Sequence, residues 1–93
     1  MFCNVRLELD LPFALSLKDK RQTVRSLRDR LRRKNVSIVE SGNQDFWQRA
    51  TLEISLAAVS RGAAEEKREE VRRMLLNYDE IRISDWREEF VKL

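Results

Sequence analysis

The stretch S-L-K-D-K-R-Q-T-V-R-S-L-R-D-R-L-R-R-K, Ser16–Lys34, decides the fold. Leu17, Val24, Leu27 and Leu31 fall at helical steps and form a narrow apolar stripe on an otherwise charged segment. Ser16 stands where an N-cap belongs: its hydroxyl can accept from the Asp19 amide, and Asp19 can reach back, a short-armed version of the capping box. Arg32, Arg33 and Lys34 suit the negative end of the helix dipole, and Asn35 is a stop. Between Leu17 and Lys34 there are nine Lys or Arg against Asp19 and Asp29, a net of +7. The whole chain carries +3, so the remainder sums to −4.

Working outward on the N-terminal side, Cys3, Val5, Leu7, Leu9 and Leu11 alternate with Asn4, Arg6, Glu8 and Asp10, the period of a half-buried strand. Pro12 ends it. After the helix, Val36–Ser41 is a short β-rich run and Gly42–Asp45 is turn chemistry. From Gln48 alternation resumes, with Ala50, Leu52, Ile54, Leu56 and Ala58 on one face and Arg49, Thr51, Glu53, Ser55, Ala57 and Val59 on the other. A short loop joins antiparallel neighbours, so these two strands form a hairpin. Ser60-Arg61-Gly62 breaks the pattern. Ala64, Val71, Met74, Leu75 and Tyr78 then return at helical spacing, and Ile81 and Ile83 open a last strand. The tail with Trp86, Phe90 and Val91 is apolar and carries no clear period. The order β-α-β-β-α-β specifies a ferredoxin-like α+β domain over residues 1–93: a four-stranded antiparallel sheet with two helices on one face.

Composition bounds the chemistry. Of 93 residues, 42% are apolar and 38% charged, which fits a single globular domain and not a disordered tail. No apolar run approaches the roughly 20 residues that span a bilayer, and the alternating, acid-bearing N-terminus does not read as a signal peptide. The expectation is a cytoplasmic protein. A single cysteine, Cys3, rules out a disulfide within the chain, and it points inward as a small hydrophobe. There is no histidine, so the commonest general base and metal ligand are missing. With no phosphate-cradling glycine loop, dinucleotide fingerprint or metal spacing either, the expectation is no enzyme, no cofactor and no metal.

Three pieces, S-L-K-D-K-R at Ser16–Arg21, N-V-S-I-V-E at Asn35–Glu40 and Q-D-F-W-Q-R-A at Gln44–Ala50, in this order and spacing, resemble the YlxP-like family of small bacterial proteins, also called domain of unknown function 503. The resemblance implies the same ferredoxin-like fold and a cytoplasmic bacterial protein without assigned biochemistry. In some bacteria such genes neighbour those of translation initiation and ribosome maturation factors. Family members often have histidine where this chain has Asn43, so any chemistry of that histidine would be absent here.

Two constellations remain. At 100° per residue, Arg21, Arg25, Arg28 and Arg32 lie within about 60° of one another, with Lys18 at the margin, a row roughly 16 Å long. Such a row can track phosphates through counterion release and bidentate guanidinium contacts. In the first turn, Ser16, Lys18, Lys20 and Arg21 could add an anion site at the positive end of the dipole. The competing reading is a solvated face whose arginines pair with Asp29 and with acids from the rest of the chain. Phe46 and Trp47 flank the hairpin tip, where bases could stack; packing at the end of the core, or contact with a second subunit, is the commoner fate of such rings. Trp86 reads the same way. The outward positions of the two central strands lack aromatics and carry Glu8, Asp10 and Glu53, which excludes base-stacking on the sheet as in RRM domains. The sequence therefore points to a non-enzymatic binding protein for RNA, ribosomal RNA included, that uses the basic helix. The alternative is a homo-oligomeric interaction module in which a second copy covers the open sheet or the hairpin.

Overall fold

The computed structural model describes residues 1–92. Its elements run β1 (Phe2–Asp10), α1 (Leu17–Arg33), β2 (Ser37–Gly42), β3 (Arg49–Ala57), α2 (Arg61–Leu76) and β4 (Arg82–Val91). The sheet has the order β2-β3-β1-β4 with every neighbouring pair antiparallel, and both helices pack on one face, which is the ferredoxin-like arrangement. The alternating residues of β1 supply Cys3, Val5, Leu7 and Leu9 to the core, and β3 supplies Ala50, Leu52, Ile54 and Leu56. The helices close over them with Val24, Leu27 and Leu31 from α1 and Ala64, Val71 and Leu75 from α2. Among the described residues no helix is long and apolar enough to cross a membrane.

The ends of α1 follow from its sequence. Ser16 is extended (φ −163°, ψ 167°) and its hydroxyl accepts from the Asp19 amide at 3.1 Å. The Asp19 carboxylate reaches back to the Leu15 amide at 2.9 Å, one residue before the cap. At the other end Asn35 takes φ 58°, a left-handed position that asparagine tolerates. Its amide donates to the Arg32 carbonyl and the Val36 amide to the Leu31 carbonyl, both at 3.0 Å. This is a Schellman closure, completed by buried Val36 and Leu31.

Two expectations are corrected. Helix α2 begins at Arg61, three residues before the start that the apolar spacing suggests, because Ser60 caps it by accepting from the Ala63 amide at 3.1 Å. Gly62 sits harmlessly in the exposed first turn. The apolar tail is also no tail: β4 pairs with β1 from Asp10↔Arg82 to Phe2↔Val91. A register shift opposite Glu8/Leu9 leaves Ser84 as an extra residue. The bulge brings Ile83 and Trp86, an odd interval apart, to the same face.

Candidate functional site

The cations of α1 divide into two groups. The buried row of the helix is Lys20, Val24, Leu27 and Leu31. On one flank of this row, Ser26 accepts a hydrogen bond from the Tyr78 hydroxyl at 2.6 Å, and the Arg30 guanidinium lies 5.0 Å from the Tyr78 ring. That flank faces the end of α2. On the other flank stand Arg21, Arg25, Arg28 and Arg32, each the residue after a buried one, and therefore about 100° round the axis. Arg32 shares a shallow depression with Asn35, Val36, Ser37 and Ile38, which sets this flank beside the open edge of β2. Since β2 runs back along α1, the row starts near Ser37 and leads toward the β2–β3 hairpin.

None of Arg21, Arg25, Arg28 and Arg32 takes part in an ion pair among the described residues. Asp29, the acid expected to neutralise them locally, does not pair with them either. Arg21, Arg25 and Arg32 are exposed and Arg28 is half-buried. Lys18 is exposed at the hairpin end of the row.

The expected anion cradle in the first turn is corrected at two positions. Lys20 is 1% exposed. Its ammonium lies 2.8 Å from Glu40 Oε2 and donates to the Asn43 carbonyl. Lys20 occupies the step of the apolar stripe between Leu17 and Val24, so its stem runs into the core and its charge must find a partner there. The Ser16 hydroxyl is already engaged by the Asp19 amide, and the Asp19 carboxylate adds negative charge to the turn. Lys18 and Arg21 are what remains of that cluster.

Lys20 instead fixes the hairpin. Asn43 has φ 58°, and its Nδ2 donates to Thr51 Oγ1 at 2.9 Å. The Thr51 hydroxyl in turn donates to Glu8 Oε2 at 2.7 Å. This chain buries Thr51 although it lies on the outward parity of β3. Asn43 thus serves as a left-handed turn residue that offers both an acceptor and a donor. The Leu11 amide donates to the Gln48 carbonyl at 2.9 Å, and Gln48 Nε2 donates to the Ala14 carbonyl at 3.3 Å. The β1–α1 loop and the hairpin are joined on both sides.

At this end of the molecule large apolar side chains face outward. Phe46 is 62% and Trp47 50% exposed, and in the tied loop Phe13 is 71% and Leu15 79% exposed. Phe46 and Trp47 do not pack on the end of the core as their size suggests. With Asp45, Gln48 and Arg49 they frame an open depression of about 450 Å³. Trp86 is elsewhere: it lies opposite Leu7 on β4, partly buried against the core, with the Arg72 guanidinium 5.6 Å from its ring. It shares no surface with the hairpin pair.

The open sheet face carries Arg6, Glu53, Arg87 and Glu89 around a shallow depression of about 620 Å³, with both signs of charge. Cys3 is fully buried, and desolvation, followed by the Glu88 carboxylate, pushes its thiol pKa up. A buried thiol held protonated is inert.

Comparison with known proteins adds a family and one relative. The model of a family described as "Protein of unknown function (DUF503)" matches residues 2–88. The chain is similar to "Uncharacterized protein YlxP" of Bacillus subtilis (strain 168), at 37% identity over 67 residues, covering 71% of this chain and 73% of the relative.

Proposed function

The chain belongs to the DUF503 family, and we propose that this member is a non-enzymatic cytoplasmic protein that binds RNA, ribosomal RNA among the candidates, through the outer flank of α1. One observation carries the reading: Arg21, Arg25, Arg28 and Arg32 form an exposed to half-buried row with no acidic partner among the described residues. A solvated face of the ordinary kind would use the surplus acids of the chain to neutralise such a row. Guanidiniums left free gain from phosphate, because each contact releases a condensed counterion. The sheet face is the weaker surface for phosphate, since Glu8, Asp10, Glu53, Asp85 and Glu89 stand on it among Arg6, Arg49, Arg82 and Arg87. The non-enzymatic part rests on the sequence, which has no histidine and one buried cysteine.

Filter binding to a single-stranded RNA tests this reading. Four phosphate contacts give a slope of about −3 for log K against log salt, and Arg25→Glu with Arg28→Glu lowers affinity by about 100-fold and takes away about half of that slope. Full retention of binding in the double variant overturns the reading. The second reading, a homo-oligomer closed over the open sheet, is favoured by the mixed charge of the sheet depression, which is self-complementary. Light scattering decides it: a monomer mass at the highest attainable concentration removes it.

A further inference from the structure

We infer that the β2–β3 hairpin tip is a stacking site for an unpaired base of the same RNA strand, with Phe46 and Trp47 as the platform. The inference rests on the reading of α1 as the phosphate-binding face and names the form of RNA that fits it. Three observations converge. The two rings are exposed and adjacent, and they frame a depression with Arg49 at its rim. The arginine row of α1 leads to this tip, because β2 runs back along the helix and Lys20 joins the first turn of α1 to Glu40 and Asn43. The tip is held from three directions, by Lys20, by the Asn43–Thr51–Glu8 chain and by the Gln48–Ala14 bond. A hairpin fastened this firmly keeps its rings solvent-exposed instead of letting them fold onto the core. That arrangement costs hydrophobic burial, and an external ligand restores it.

The chemistry of the surroundings selects the ligand. An aromatic platform at the hairpin end of a row of cations, with Arg49 and a single acid, Asp45, at its rim, matches a polyanion with π-faces along its backbone, which is single-stranded nucleic acid. A duplex keeps its bases inside the stack and could use only the arginines. The platform is sequence-tolerant, because every base has a face to offer. Arg49 can add a cation–π contact or take the adjoining phosphate.

The experiment uses three probes of equal length: an oligouridine RNA, an abasic strand with the same phosphates, and a blunt RNA duplex. In a Trp86→Phe background Trp47 is the only tryptophan. Oligouridine quenches its fluorescence on binding, and the abasic strand binds without quenching. Phe46→Ala with Trp47→Ala, in the otherwise native chain, weakens oligouridine binding by about tenfold or more. The same variant leaves the affinity for the abasic strand and the salt slope unchanged. Both rings are exposed, so the urea midpoint of this variant stays at the native value and reports that it is folded. If oligouridine binds and Trp47 is not quenched, or if the double variant loses affinity for both strands equally, stacking is overturned while the arginine row stands. If neither strand binds, the reading of α1 falls and the stacking site with it. A dimer mass that reverts to monomer in Phe46→Ala/Trp47→Ala assigns the rings to a second copy and also overturns the inference.

Discussion

Helices α1 and α2 lie on the same face of the sheet, have 17 and 16 residues, and are both rich in arginine. They treat those arginines in opposite ways. In α2 three of the four arginines are occupied: Arg61 contacts Glu65 at 2.9 Å and lies 4.2 Å from the Phe90 ring. Arg68 is bonded to Glu88 and lies near Glu69 at 3.9 Å, and Arg72 sits over Trp86. In α1 one cation, Lys20, is buried and paired, and four arginines on the outer flank make no ion pair among the described residues. Charge density alone therefore says little about binding. What separates the helices is how far the fold has already engaged the charge.

Lys20 gives the largest expected effect. Lys20→Met leaves Glu40 without its cation and lowers stability by about 3 kcal/mol, the low end for an orphaned buried charge because Glu40 keeps some solvent contact. Glu40→Ala costs more, since the ammonium it abandons is 1% exposed. Lys20→Met with Glu40→Leu recovers most of the loss, as replacing both members of a buried pair by apolar groups generally does. Urea midpoints of the three variants check this. A loss in Lys20→Met no greater than in an exposed variant such as Arg25→Met would mean that the pair does not fix the hairpin.

The buried pair was legible in the sequence, though not as a single motif. The stripe Leu17, Val24, Leu27, Leu31 has a vacant step at position 20, and a lysine fills it. On β2, Ile38 and Glu40 share the inward parity. A lysine in the gap of an apolar stripe facing a glutamate on the inward side of the next strand predicts a buried ion pair. Reading Lys20 only as one more cation of the first turn overlooks this. The fold itself could be read from four alternating or helical patterns, because period 2 and period 3.6 are each imposed by the same buried face. Strand β4 resisted because the bulge at Ser84 shifts the parity between Ile83 and Trp86. The exposure of Phe46 and Trp47 could not be read at all: it depends on the Lys20–Asn43 and Gln48–Ala14 bonds, which join segments 23 and 34 residues apart.

The next effect sharpens the contrast between the helices directly. Arg61→Glu with Arg72→Glu changes the net charge of the chain by the same amount as Arg25→Glu with Arg28→Glu. If RNA is drawn to overall charge, both double variants lose affinity equally. If it is held by the free row, the α2 variant loses only a few-fold through long-range repulsion, against about 100-fold for the α1 variant. The α2 variant also loses the Arg72–Trp86 contact, worth about 0.5–1 kcal/mol at an exposed site. It is therefore the less stable of the two and the better binder. An equal loss of binding in both variants would break the distinction between occupied and free cations.

The smallest effect concerns the place where the two helices share charge. Lys34, the C-cap of α1, bonds to Glu70 on α2. The hydrogen bond from Lys34, followed by its charge, holds the Glu70 carboxyl below the usual carboxylate range. The contribution of a depressed carboxylate is present above its unfolded pKa and is lost as pH falls through the folded one. Glu70→Gln therefore unfolds slightly more easily than the native chain at neutral pH, and the two urea midpoints converge in acid, below the ordinary carboxylate range. The site is solvent-exposed, so salt screens the difference at neutral pH as well. The same salt weakens the hold of the free row on RNA much more steeply, because there each contact adds a released counterion. A Glu70→Gln difference that persisted in acid would show that the side chain acts by packing between the helices and not by its charge.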